Sequence, residues 1–263
     1  MGGTWPGRTD WVHDRLGAGR RCLGGLYDGL TMAKTEEQGE KQGEDVPTLV
    51  DPTLTRQLPS TPRGIRTRAS LVAAARTVFE RDGYIDSRLT DITKEARCST
   101  GTFYTYFDSK EEALAAVLHE AQEDMLHPGP PQEQHADRTV VESLEAGNRA
   151  YIDAYKRNAK LMLLLEQVAA IDPKFRRLRL DRGKAFAERN CRWVKKLQDE
   201  GFADTSLDPV MSASALSLMV GRMAYCKYAL DEPDWGTDDL LVETATKLWV
   251  NALGIPADGS RRI

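Results

Sequence analysis

The chain has 263 residues, 41% hydrophobic and 29% charged, with a formal net charge of −4. That length holds one large domain or a small domain fused to a larger one, and the acidic balance excludes a nucleic-acid binder that is basic all over, so any such surface must be a local patch. No apolar run approaches the ~20 residues of a membrane span, and the N-terminal arginines, Arg8, Arg15, Arg20 and Arg21, are not followed by the apolar core of a signal peptide.

Residues 1–60 differ from everything after them. The stretch MGGTWPGRTDWVHDRLGAGRRCLGGLYDGL is rich in Gly and Arg without a sustained helical period, and MAKTEEQGEKQGEDVP has the composition of a disordered tail. Met32 is a candidate translation start for the native protein, an expectation that an N-terminal peptide spanning Met1 to Arg8 would overturn. The Pro and Thr of residues 51–62 read as a linker. A disordered extension over 1–60 is expected.

After Pro62 the pattern is helical, and no alternating run of Val, Ile and Thr competes with it, so the fold class is all-α. Leu71, Ala75, Val78 and Phe79 mark one face of a first helix, with Gly83 placed to end it in a left-handed cap. A short second helix is expected from Thr90, as N-cap, to Ala96. A third covers Thr100 to Tyr106, and a fourth starts at Asp108 or Ser109, with Leu114, Val117, Leu118 and Ala121 facing inward. The Pro-rich segment HPGPPQEQHAD (127–137) separates this head from five further helices, expected at about 138–157, 159–170, 173–200, 207–230 and 237–253 and punctuated by Asp172-Pro173, Gly201, Asp208-Pro209 and Glu232-Pro233. The helix over 207–230 is apolar almost all round, with Leu216, Leu218, Met219, Val220, Met223, Tyr225 and Tyr228. Such a helix must be covered on most sides, and a second copy of the chain is the natural cover.

Three helices, the second and third short and joined by a tight turn, describe a helix-turn-helix. On the third, TGTFYTYF, Phe103 and Phe107 stand four apart and should pack inward. Thr100, Gly101, Thr102, Tyr104, Thr105 and Tyr106 are then left to approach a groove and meet phosphates or base edges without bringing charge. Between residues 56 and 110 there are ten Lys/Arg against six Asp/Glu, a positive patch on an acidic chain. Arg63, Arg66 and Arg68 cluster ahead of the first helix, where a flexible arm would follow a phosphate backbone or enter a minor groove.

The segments AARTVFERDGY (74–84) and LTDITKEARCSTGTFYTYFDSKEEAL (89–114) resemble the N-terminal domain of the TetR family of bacterial transcriptional regulators. Phe79, Gly83, Ile92, Ala96, Ser99, Gly101, Thr102, Tyr104, Tyr106, Phe107 and Lys110 fit that family's pattern. The resemblance, which covers about residues 66–118, implies phosphate contacts by Tyr104, Tyr106 and Lys110, a base contact by Tyr104, and Thr100 and Thr102 at the groove floor. It also implies that Thr90 caps the second helix against the backbone. Arg97 stands where the family has a turn glycine, Cys98 where it has a core valine, and Thr93 where alanine is common.

The domains expected are a helix-turn-helix head over 61–108, a ligand-binding and dimerisation body over 109–255, and a tail over 256–263. In proteins of the resembled family the body binds a small inducer and forms the dimer. Here Met162, Phe186, Trp193, Met219 and Met223 are side chains suited to lining an apolar cavity, with Glu166, Asn190 and Arg222 as polar groups to orient a ligand. The basic run FRRLRLDRGKAFAERNCRWVKK (175–196) reads as a solvated face, with an acidic ligand such as an acyl-CoA as the alternative.

Cys22, Cys98, Cys191 and Cys226 are far apart with no CxxC, as expected of packed, reduced thiols in a cytoplasmic protein, although Cys98 on the reading element is a candidate thiol sensor. His119, His127 and His135, with Glu123 and Glu133, lack the tight spacing of a metal site. GxSxG, GxGxxG, a P-loop lysine and HExxH are absent. The expectation is a dimeric regulator without cofactor or metal, a repressor released from a palindromic DNA operator by a small apolar or acyl-type ligand, paired through its last two helices and not in a membrane. The competing expectation is a helical small-molecule-binding protein or enzyme with a vestigial head.

Overall fold

Thr61 and Pro62 start the first helix. The Thr61 hydroxyl accepts the Gly64 N–H at 3.1 Å, and proline in the first turn forgoes an N–H that has no helical partner there. This computed structural model describes residues 59–127, 138–256 and 258–261. The rest of the expected N-terminal extension, the Met32 start, Cys22, His135 and Glu133 lie outside the described residues. Helix α1 (Pro62–Asp86) contains Arg63, Arg66 and Arg68 in its first two turns, which corrects the flexible arm expected there. Helix start signals at 61 and 62 draw the arginines into regular structure. Gly83 interrupts α1 with φ 73° and ψ 179°, a conformation open to a residue without Cβ but not the left-handed turn expected.

Helix α2 (Leu89–Glu95) is capped at Arg88, which corrects the Thr90 cap. The Asp91 carboxylate accepts the Arg88 backbone N–H at 3.2 Å, and this fixes the start ahead of Thr90, which lies exposed in the first turn. Helix α3 (Thr100–Tyr106) begins at Ser99, whose Oγ accepts the Thr102 N–H at 3.1 Å. Helix α4 (Lys110–Leu126) begins at Ser109 in the same way.

The body consists of α5 (Val140–Ile171), α6 (Pro173–Asp199), α7 (Pro209–Ala224) and α8 (Asp238–Leu253). Two of the expected body helices are one, since α5 runs 32 residues without a break. Asn158 does not interrupt it because its Nδ2 donates back to the Ala154 carbonyl at 2.9 Å and across to Asp124 at 2.8 Å. The helix expected over 207–230 is shorter, ending at Ala224 in a π-helical turn (Tyr225–Ala229), with a 3-10 turn (Pro233–Trp235) before α8. No strand occurs among the described residues.

The apolar interior forms two clusters. One joins the head helices α1 to α4 to the middle of α5 and the first half of α6, and includes Phe79, Phe103, Phe107, Leu118, Leu165, Phe175 and Phe186. The other gathers α7, α8, the start of α5 and the end of α6 around Ile152, Val194, Val220, Trp249 and Leu253. The 108/109 boundary expected between head and body falls inside the first cluster, because Leu114, Val117 and Leu118 of α4 complete the packing around Phe103 and Phe107.

Candidate nucleic-acid interface and body interior

Helix α3 is seven residues long and far too short to be stable alone, so its orientation depends on what it buries. Phe103 and Phe107 are both 0% exposed, their ring centroids 5.5 Å apart, and Arg68 of α1 lies over the Phe107 ring at 5.2 Å. With that face fixed, Thr100, Gly101, Tyr104 and Thr105 are exposed, and Thr102 and Tyr106 are partly so. Tyr104 leaves 51% of its surface open while its ring stands edge-on to Phe103, which stiffens an outward-pointing phenol. The two expected anchors are buried and Tyr104 faces out, whereas Tyr106, expected to face out as well, is half-buried against the head core.

Some hydroxyls on this face already have local partners. Thr102 Oγ1 and Ser99 Oγ are 3.0 Å apart, and Thr105 Oγ1 donates to the Gly101 carbonyl at 3.1 Å. Arg63 and Arg66 are exposed on the first turns of α1, and Arg68, Gly64, Pro59, Thr105 and Tyr106 line a groove between α1 and α3. Lys110 reaches the end of α1. Its Nζ donates to the backbone carbonyls of Tyr84 at 2.7 Å and Ser87 at 2.8 Å and lies over the Tyr84 ring at 4.5 Å. In this position it ties the start of α4 to the end of α1. The turn between α2 and α3 contains Arg97 at φ 51°, so a Cβ-bearing residue occupies a left-handed position that glycine takes without penalty. Cys98 is half-buried against the head core, and burial pushes its thiol pKa up, the opposite of what a reactive sensor thiolate needs.

The expected ligand residues do not converge. Met162 and Phe186 are buried in the cluster shared with the head. Trp193, Met219 and Met223 flank the other cluster, where Trp193 meets Trp249 edge-on at 6.1 Å. Glu166 pairs with Arg179 at 3.2 Å near the surface. Asn190 donates to Ser217 Oγ at 2.7 Å and so joins α6 to α7. Arg222 is exposed, its guanidinium 5.0 Å from the Tyr225 ring centroid.

Other polar groups approach one another here: the half-buried Arg182 and Arg189 of α6 lie near Tyr151 of α5, and Arg182 near Tyr155. Gln122 of α4 is buried one turn before Met125 and Leu126, which the two arginines touch. The desolvated Tyr151 phenol is held above its ordinary pKa by burial, against the pull of both arginines. The sequence signal for this group was Gln122, a polar residue in the apolar register of Leu118, Ala121 and Met125. Among the described residues no group of three or more His, Cys, Asp or Glu is arranged to hold a metal ion, and His127 Nδ1 lies 3.4 Å from Glu123.

A three-helix head presenting a short, doubly anchored third helix, joined to a helical body, defines a helix-turn-helix DNA-binding protein. Residues 71–117 match the family described as bacterial regulatory proteins, tetR family. The chain is 22% identical over 212 residues to the HTH-type transcriptional regulator EthR of Mycolicibacterium smegmatis, across 73% of this chain and 92% of that protein. A TetR-family regulator structure from Mesorhizobium loti superposes with a TM-score of 0.61 at 18% identity, covering 73% of this chain and 98% of that one. SmeT, the repressor of a Stenotrophomonas maltophilia multidrug efflux pump, superposes with 0.59 at 18% identity, covering 73% and 92%. At such identities the structural likeness is one of fold. Residues 71–117 thus carry a DNA-binding domain of the tetR family of bacterial regulatory proteins, and the described chain shares the fold of solved TetR-family regulators.

Proposed function

We propose that the protein is a homodimeric, ligand-responsive repressor whose two heads read successive major grooves of a palindromic operator. The observation that carries this is α3: two buried phenylalanines fix the helix, and Thr100, Gly101, Tyr104 and Thr105 are left facing out. Tyr104 and Tyr106 contact phosphates, Thr100, Thr102 and Thr105 line the groove, and Arg63 and Arg66 extend the contact from the first turns of α1. Lys110 acts chiefly by positioning α4 against α1.

Dimerisation through α7 and α8 is supported by an uncovered apolar stripe on a single chain. Met211 and Leu218 stand seven apart on α7, Leu218 being 70% exposed, and Leu240 and Leu248 are exposed on α8. Patches of this kind mark association surfaces. A small ligand in the body alters operator affinity by binding one head spacing better than the other. SmeT is itself a repressor by its description, which favours repression as the sign. A regulator of this kind works in the cytoplasm, and no helix among the described residues is long and apolar enough to cross a membrane.

The test is capture of genomic DNA fragments by the purified full chain at moderate salt, beside a Thr100→Ala/Tyr104→Phe variant. A shared palindrome enriched by the native protein and lost in the variant is the expected result. Equal enrichment by both proteins removes α3 from the interface.

A further inference from the structure

The interior between α4, α5 and α6 holds two arginines with no acid beside them. Arg182 and Arg189 lie two turns apart on α6, and both guanidinium groups approach the ring of Phe186, at 5.5 and 5.1 Å. Among the described residues neither takes part in an ion pair, whereas Arg179 of the same helix pairs with Glu166. Arg182 Nε is closed off from solvent and has no acceptor. Arg189 Nη1 donates to the Leu126 carbonyl at 2.8 Å, and its Nε makes a long bond to Asn190 Oδ1 at 3.4 Å. Burial lowers the Arg189 pKa from its ordinary value, with no carboxylate to oppose it.

The groups around the arginines are polar at their tips and apolar in their bodies. The Tyr151 ring stands edge-on to Phe186 at 5.3 Å and lies 6.0 Å from Tyr155, and its phenol is within reach of both arginine charges. Gln122 is 0% exposed, and neither its Nε2 nor its Oε1 has a partner. It lies one turn before Met125, whose Sδ is 4.0 Å from Arg182 Nη2, and before Leu126, which accepts from Arg189. Gln122 therefore shares the stripe of α4 that meets both arginines. A half-buried cation without a counter-charge, next to a buried unpaired amide, is expensive to keep. Such an arrangement is stable in function when a bound molecule supplies the missing charge.

We propose that the body binds an amphipathic carboxylate, its carboxylate received by Arg182 and Arg189 with Gln122 Nε2 as a further donor, and its apolar part laid against Phe186, Tyr155 and Met125. This rests on the ligand-responsive function proposed above and names the ligand's chemical class. A planar carboxylate matches the guanidinium fork, which a neutral hydroxyl or ester does not.

The test uses the full chain and four probes: decanoate, 4-phenylbutyrate, and their neutral alcohols 1-decanol and 4-phenyl-1-butanol. Titration calorimetry is expected to show at least one carboxylate binding about tenfold or more tighter than its alcohol, the preference shrinking to about twofold in Arg182→Gln and staying intermediate in Arg182→Lys. In the absence of probe, Arg182→Gln is expected to keep or raise the melting temperature, because it removes an uncompensated charge. A purely structural arginine would lower it and leave the preference intact, which overturns the proposal. Alcohols binding as tightly as carboxylates also overturn it, while leaving a ligand-binding body standing. Binding of none of the four overturns the proposal and withdraws support from the ligand-responsive function with it, whatever the DNA capture shows.

Discussion

Helix α3 and the interior between α4, α5 and α6 are both built on aromatic side chains, and they treat polar groups in opposite ways. On α3 the aromatic anchors point in, and the threonine hydroxyls of the outer side find partners within the helix and its cap, Thr105 at the Gly101 carbonyl and Thr102 at Ser99. In the body the polar heads are turned inward with Phe186 and Tyr151, and Gln122 and Arg182 keep atoms that nothing in the chain satisfies. The first surface is complete before it meets its partner, while the second is left with a free-energy deficit until something fills it. The rigid reader and the responsive sensor proposed above call for that difference.

The comparison breaks most sharply at Phe103. Phe103→Ala is expected to cost about 3–5 kcal/mol in chemical denaturation, the range for emptying a buried aromatic site. A cost under about 1 kcal/mol would mean that α3 is not held by its anchors. Lys110→Ala comes next, at about 1.5–3 kcal/mol, since it removes charge-assisted bonds to two carbonyls. The same variant separates two roles for this lysine. A positioning residue leaves the slope of log affinity against log salt unchanged, whereas a phosphate contact lowers that slope by about one.

Arg97→Gly is expected to stabilise the head by about 1 kcal/mol, read as a higher denaturation midpoint, because glycine relieves the left-handed strain in the turn. The smallest effect is on pH. Burial holds His119 below its ordinary value of 6.5, against the opposing attraction of Glu123 and with a minor contribution from Arg68. As pH falls below that value the unfolded chain takes up the proton before the native one, so stability declines with acidification and levels off once the native imidazole is protonated. Glu120, raised by burial, offsets part of this at lower pH. Thermal melts of His119→Gln should show a flatter acid limb than the native chain.

The head was legible because its information is local. Phe103, Phe107 and the outward tyrosines fall within five consecutive positions, and a spacing of four on a helix fixes which side each faces. What was misplaced there concerned helix starts: Asp91 caps the Arg88 N–H and outcompetes Thr90, and Thr61 with Pro62 pulls three arginines into α1. The body resisted reading because its interior group draws on three helices, with Gln122, Tyr151 and Arg182 standing 29 and 31 positions apart in the sequence. Nothing in the run 175–196 distinguishes the half-buried Arg189 from the exposed Arg192, since both occupy a basic amphipathic stretch and only the neighbouring helices decide which is enclosed. The continuity of α5 through Asn158 was not legible either, because the hydrogen bond of that side chain to the preceding turn is invisible to a propensity scale.

The shared core has a consequence for cooperativity. Phe103 and Phe107 pack in the same cluster as Leu165 and Phe186, so head and upper body form one unfolding unit rather than beads on a string. Amide exchange in α3, at seven residues as short as α2, should be protected to the same free energy as the middle of α5 rather than fraying on its own. Whatever tightens or loosens the body interior is then registered at the DNA-facing helix as a change in the lifetime of its open state.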